Sequence, residues 1–107
     1  MKLAPGEFSK NVCQLALRIP SGRVTTYGYL AVAAGGHPFL AQMITTILSK
    51  SPDVDKIPFH RIVYSNGQVW LTPKFKKERL KLYRKEGIKL DRKNRIVNFQ
   101  KIFFTFD

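Results

Sequence analysis

The sequence predicts a small α/β domain, a winged helix-turn-helix that is mostly helical with a β-hairpin wing, spanning residues 1–107. Three observations predict it. Two apolar-periodic stretches, 27–34 and 38–49, flank the turn signal Gly35-Gly36-His37-Pro38, and a helical pair across a tight Gly-containing turn is the helix-turn-helix pattern. Beyond a polar loop, the runs 61–64 and 68–71 flank Ser65-Asn66-Gly67, and Asn-Gly between β-rich runs reads as a hairpin. Finally, 107 residues with 44% apolar and 24% charged content suffice for one globular core and are too few for two.

Taken in order, Lys2 is followed at once by Leu-Ala-Pro-Gly, which is no signal-peptide core, and no apolar run reaches membrane-spanning length. An intracellular protein is expected, cytoplasmic or, in a eukaryote, nuclear. Residues 7–19 read as the first helix. Phe8, Val12, Leu15 and Leu17 fall near helical spacing, Ser9, Lys10 and Asn11 lie outward, and Pro20-Ser21-Gly22 ends it. Residues 23–27 are β-rich, and Thr25 or Thr26 caps a helix that begins at Tyr27. Pro38 suits the first position of the next helix. Its apolar residues are Phe39, Leu40, Met43, Ile44, Ile47 and Leu48, while Gln42, Thr45, Thr46 and Lys50 are polar and point outward, into a DNA groove if this pair reads DNA. Many small helical pairs share this pattern, and ordinary packing explains the apolar set. Residues 51–56 form a polar loop. Pro73 opens a helix over 74–86 with Phe75, Leu82 and Tyr83 as its inner face, and Gly87 ends it. Residues 88–90 and 95–99 read as a terminal hairpin or extended strands about 91–94, and Phe103, Phe104 and Phe106 as a tail that packs back.

The net charge is +12, from 19 Lys/Arg against seven Asp/Glu. Between Lys74 and Arg95 lie eleven basic residues against Glu78, Glu86 and Asp91. Such an excess favours a polyanionic partner, nucleic acid, over a merely solvated surface, and it makes Lys74 a candidate DNA contact. A membrane surface is disfavoured, because the basic stretch lacks a wide apolar face. The single cysteine, Cys13, makes no internal disulfide, which fits a reducing compartment. It lies beside the stripe of the first helix and reads as a small buried hydrophobe. A reactive thiol needs a base or cation in a cleft, and nothing in that stretch supplies one. Two His and seven acids give no metal-site pattern, so neither metal nor cofactor is expected.

One run carries the chemistry: Pro58-Phe59-His60-Arg61-Ile62-Val63. It reads as a buried strand entry that brings two polar groups inward, and a buried His and Arg need partners. It also resembles a known motif. The O6-alkylguanine-DNA alkyltransferases carry Pro-Cys-His-Arg-Val at their acceptor cysteine, and here Phe59 stands in the cysteine's place. Arg23-Val24-Thr25-Thr26-Tyr27-Gly28-Tyr29-Leu30-Ala31 is similar to that family's Gly-x-Val-x-x-Tyr-x-x-Leu-Ala segment, and Gly22 supplies part of the entry turn. Ser65-Asn66-Gly67 and Glu86-Gly87 fall where the family has Ser-x-Gly and Glu-Gly. The resemblance runs from about residue 8 to residue 88 and lies closest to the alkyltransferase-like proteins, in which the cysteine is replaced.

The resemblance implies a winged-helix protein that binds double-stranded DNA containing alkylated guanine, and nothing is transferred. In the active enzymes a thiolate attacks the alkyl carbon, a histidine takes the thiol proton through water, and a glutamate orients the histidine. His60 and Glu86 match the last two, while Phe59 has no lone pair to attack with. The implied lesion pocket comprises Phe59, His60, Arg61, Tyr27, Ser51 and Glu86. Tyr27 matches a tyrosine that helps rotate the nucleotide out, and Ser51 stands where alkyltransferases have an asparagine. Of the candidate DNA contacts Gln42, Thr45, Thr46, Lys50 and Lys74, the resemblance gives a role to Gln42. Gln42 replaces the arginine finger that fills the vacated place in the base stack, and Trp70-Leu71-Thr72-Pro73 replaces a Gly-Gly lid segment. A monomer is expected, which hands the lesion to nucleotide excision repair proteins. Two other readings stand beside this one. One is a winged-helix DNA binder without lesion specificity, such as a regulator, which Gln42 favours. The other is a transferase using Cys13, which the helical setting of that residue opposes.

Overall fold

The computed structural model describes residues 6–106. The segment around Lys2, where the sequence predicts no signal-peptide core, lies outside them. The first helix, α1 (Glu7–Ala16), buries Val12 and Ala16. It ends earlier than the predicted 19, and the chain tightens through Arg18 N–H to Leu15 O (2.9 Å) and Ile19 N–H to Ala16 O (3.3 Å). Ile19 therefore enters the core, whereas Leu17, expected inward, is exposed.

The cap of α2 (Tyr27–Ala33) is Thr26, whose Oγ1 accepts from the N–H of Tyr29 at 3.1 Å. A Cβ on Gly36 would lie 2.5 Å from the Phe8 ring and 2.8 Å from Leu40, so any larger residue would have to push both side chains aside. The segment 38–49 crosses α2 at 112°, an angle proper to a helix-turn-helix. It is not one helix. Pro38–Met43 is wound as a 3₁₀-helix, and only α3 (Ile44–Ser49) is α-helical. His37 favours the tight start, since its Nδ1 accepts from Phe39 N–H (3.1 Å) and its carbonyl from Leu40 N–H (2.8 Å).

A two-stranded sheet pairs β1 (Thr25–Thr26) with β2 (Ile62–Val63) in parallel, Thr25 opposite Ile62 and Thr26 opposite Val63. Of the expected wing hairpin the turn is present: Tyr64 N–H donates to Gln68 O (3.0 Å) and Gly67 N–H to Tyr64 O (2.9 Å). Gly67 sits there at φ 84°, a conformation that suits glycine. The limbs then part. Phe59–Arg61 is a 3₁₀ turn, which shortens the first limb, and the second pairs onward, Gln68 against Arg95 and Val69 N–H to Asn94 O (3.0 Å).

The basic helix α4 (Lys76–Lys85) starts two residues later than predicted, because the N–H groups of Phe75 and Lys76 both turn back to Thr72 O. Leu90 pairs with Ile96 as the terminal hairpin predicts, but Phe99, expected in an extended run, opens a short helix, α5 (Phe99–Ile102). The aromatic tail does pack back. Val24 N–H donates to Ile102 O (3.0 Å), Phe104 N–H to Val24 O (2.7 Å), and Phe103 stacks on Tyr29 at 5.2 Å. Alternation along β2 divides the core: Ile62 joins a cluster around Val12, Leu30, Ile44 and Leu48, and Val63 joins one around Val24, Tyr83, Ile88 and Ile96. No single helix among the described residues is long and apolar enough to cross a membrane. The bent pair of α2 with 38–49 approaches the requirement by composition, but it spends Leu30, Ala31, Ile44 and Leu48 on the first cluster.

Candidate nucleic-acid interface

The 3₁₀ turn at Phe59–Arg61 brings two successive polar side chains onto one carboxylate, Glu86, at the C-terminal cap of α4. Glu86 Oε1 accepts from the N–H of Gly22 and from Arg61 Nε, both at 3.0 Å. Its Oε2 accepts from Arg61 Nη2 at 2.9 Å and meets His60 Nε2 at 2.5 Å. Arg61 Nη1 donates to Ile19 O (2.8 Å), and the Tyr83 hydroxyl donates to the His60 carbonyl (2.6 Å). The buried His60 and the half-buried Arg61 thus have the partners that burial demands.

Burial alone would push the Glu86 carboxyl up. The Arg61 guanidinium, the Gly22 N–H and His60 outweigh it, and the pKa falls to about 2. Burial likewise pushes the His60 ring below 6.5, with Glu86 opposing in part. Glu86 is therefore ionised and His60 neutral near pH 7, and the carboxylate places the ring's proton on Nε2.

His60 and Arg61 open on their other side, with Phe59, into a cleft of about 640 Å³. Its walls are Trp70, Phe75 and Leu82, and Asp55, Lys56, Glu78 and Arg79 add charge. The Arg79 guanidinium lies 5.4 Å from the Trp70 ring and 5.5 Å from the Phe75 ring and donates to Trp70 O at 2.9 Å, so it pins the aromatic wall. A smaller cleft of about 250 Å³ is lined by Tyr27, Ala41, Gln42, Thr45, Tyr64 and Trp70. Thr45 and Trp70 line both. Tyr27 and Tyr64 hold their rings 5.4 Å apart. Burial raises the Tyr27 phenol against a hydrogen bond with Thr45, which leaves it a neutral hydrogen-bonding group.

The sequence-predicted residues divide between these places. Phe59, His60 and Arg61 line the large cleft, Tyr27 and Gln42 the small one, and Thr45 both. Ser51 lines neither: it is buried, and its Oγ accepts from Asp53 N–H at 3.1 Å, so it shapes the loop. Glu86 also lines neither; it stands behind His60 and Arg61 and positions them. Thr46 and Lys50 are exposed on α3 and its cap, and Lys74 is exposed with its Nζ 5.4 Å from the Phe75 ring. Sequence reasoning placed Trp70 in the lid segment but missed Tyr64, Phe75 and Arg79 as cleft residues. A signal existed for two of them, since Phe75 and Arg79 stand four apart, one above the other on a helical face. Cys13 is partly buried and packs against the first core cluster. Among the described residues no three His, Cys, Asp or Glu side chains gather as a metal site.

Comparison with known proteins adds the following. The family model for the DNA binding domain of 6-O-methylguanine DNA methyltransferase matches residues 7–88. A DNA base-flipping protein of Escherichia coli (strain K12) is 38% identical over 65 residues, which is 61% of this chain and 50% of that protein. A methylated-DNA–protein-cysteine methyltransferase of Methanothermobacter thermautotrophicus is 32% identical over 85 residues, 79% of this chain and 47% of that one. The chain thus spans about half the length of these curated relatives. The crystal structure of S. pombe Atl1 in complex with damaged DNA containing O6-carboxymethylguanine matches with a TM-score of 0.74 at 21% identity, covering 98% of this chain and 99% of that one, a likeness of fold.

Proposed function

The chain belongs to the family of the 6-O-methylguanine DNA methyltransferase DNA-binding domain, and from that premise we propose that it recognises DNA damage without repairing it. It binds duplex DNA containing O6-alkylated guanine and turns the base out into the large cleft. The observation that carries this reading is Phe59 lining the cleft beside His60 and Arg61, with Glu86 behind them. A phenyl group has no lone pair, so no alkyl transfer takes place there. Apolar contact and ring stacking remain, and Phe59, Trp70 and Phe75 offer both to an alkylated base. The base-flipping relative in Escherichia coli supports extrusion as the mode of access. On this reading the 1–107 chain acts as a single-domain, intracellular monomer, and the bound lesion is handed to nucleotide excision repair proteins.

The test is a binding titration against matched duplexes with and without O6-methylguanine, followed by mass measurement of the protein. Tighter binding to the lesion with unchanged protein mass is expected. Gln42, shorter than an arginine and uncharged, favours a second reading, a winged-helix DNA binder indifferent to damage. Equal affinity for the two duplexes would decide for it.

A further inference from the structure

We infer that Phe39 is the wedge that enters the base stack and holds open the place of the extruded base, with Gln42 beside it. The inference rests on the damage-recognition reading and names the residue that does the unstacking. Phe39 is 74% exposed, the most exposed large hydrophobic side chain among the described residues. A lone exposed apolar residue is ordinary; the setting of this one is what matters.

It lies in the 3₁₀-helix Pro38–Met43, three residues before Gln42. Three residues make one turn of a 3₁₀-helix, so Phe39 and Gln42 eclipse each other on one edge, about 6 Å apart along the axis. In an α-helix the same two would stand about 60° apart around the axis. Gln42 borders the small cleft with Tyr27 and Tyr64, so the edge that carries Phe39 runs beside that cleft.

Phe39 is also held in readiness. Its N–H donates to His37 Nδ1 at 3.1 Å, and the His37 ring lies 5.5 Å from its own. The first turn is thus fixed before DNA arrives, which lowers the ordering cost of insertion. Apolar side chains that enter the minor groove unstack base steps by wedging between them, and a glutamine amide hydrogen-bonds to the base edges there. The two residues together replace one long, flat, charged side chain. Phe39 supplies area and Gln42 supplies hydrogen bonds.

The experiment uses the whole chain with duplexes containing O6-methylguanine or guanine next to a fluorescent base analogue. Parent, Phe39→Ala, Phe39→Leu and Met43→Ala are compared for affinity and for the extrusion signal. Met43 is exposed in the same element but off that edge, which makes it the control. The expected result is that Phe39→Ala loses about tenfold in affinity for the damaged duplex, the scale of one lost ring–base contact, together with the extrusion signal. Its affinity for undamaged duplex changes little, and Phe39→Leu and Met43→Ala stay near the parent. A parent that discriminates damage while Phe39→Ala matches it, or weakens on both duplexes alike, overturns the wedge and leaves the damage reading standing. A parent that binds both duplexes equally and extrudes no base overturns both.

Discussion

Replacing Phe59 by cysteine would place a thiol beside a neutral His60, which can take its proton, while Arg61 stays paired with Glu86. Phe59→Cys is therefore expected to take up a single methyl group from O6-methylguanine duplex, slowly, while the parent takes up none. Intact-protein mass spectrometry reads both. A Phe59→Cys protein that binds the lesion and stays unmodified would mean that the pocket geometry has drifted from that of a transferase, with the binding reading intact. At Gln42 the exchange runs the other way. An arginine there gives a flat plane that stacks and hydrogen-bonds, and it adds a positive charge. Gln42→Arg should tighten binding to undamaged duplex through that charge alone, and to damaged duplex by more. The difference between the two gains measures how much help extrusion needs, and equal gains would place Gln42 outside the base stack.

The ion-paired network belongs to the elements, because it ties four of them: the Phe59–Arg61 turn, the end of α4, the entry turn at Gly22 and the close of α1 at Ile19. Its pH dependence has a definite sign. Glu86, at about 2 in the fold against an ordinary 4.5, gives a contribution that is fully present above 4.5 and lost as pH falls toward 2. His60, pushed below 6.5 by burial, favours the neutral ring, so its contribution is present above 6.5 and declines as pH falls below it. Urea midpoints should be level above about pH 7.5, decline from 6.5 downward and fall more steeply under 4.5. His60→Gln should remove the upper decline and keep the lower one. A level curve between pH 5 and 7 in the parent would refute the role given to His60. Much of this was legible in the chain: α2 and a threonine cap at 25 or 26, the turn at Gly67 and the need of His60 and Arg61 for partners follow from local chemistry. The 3₁₀ winding of 38–43 was not, because apolar spacing over six residues does not separate three residues per turn from 3.6. The partners of β2 and of the second wing limb come from β1 and from residues 94–96, and such distant pairing leaves no local mark. The hold of Arg79 on Trp70 stayed hidden for the same reason, since the two meet only where α4 docks.

At the scale of the molecule the charge decides. With +12 and eleven basic residues between 74 and 95, binding to undamaged duplex should weaken steeply with salt. The logarithm of affinity should fall with the logarithm of salt by about 0.9 for each phosphate neutralised. Titrations at several salt concentrations measure the slope, and a flat response would remove nucleic acid as the partner. Position along the chain matters at this scale too. The family match ends at residue 88, yet Val24, one residue before β1 and three before Tyr27, holds its backbone bonds with Ile102 and Phe104. Ile96, Phe99 and Ile102 complete the second core cluster. Cutting these bonds by breaking the pairing of Ile102 and Phe104 with Val24 would loosen the segment that leads into Tyr27 without touching any residue that lines the large cleft, so the stretch 96–104 acts as a latch on the small cleft from a distance.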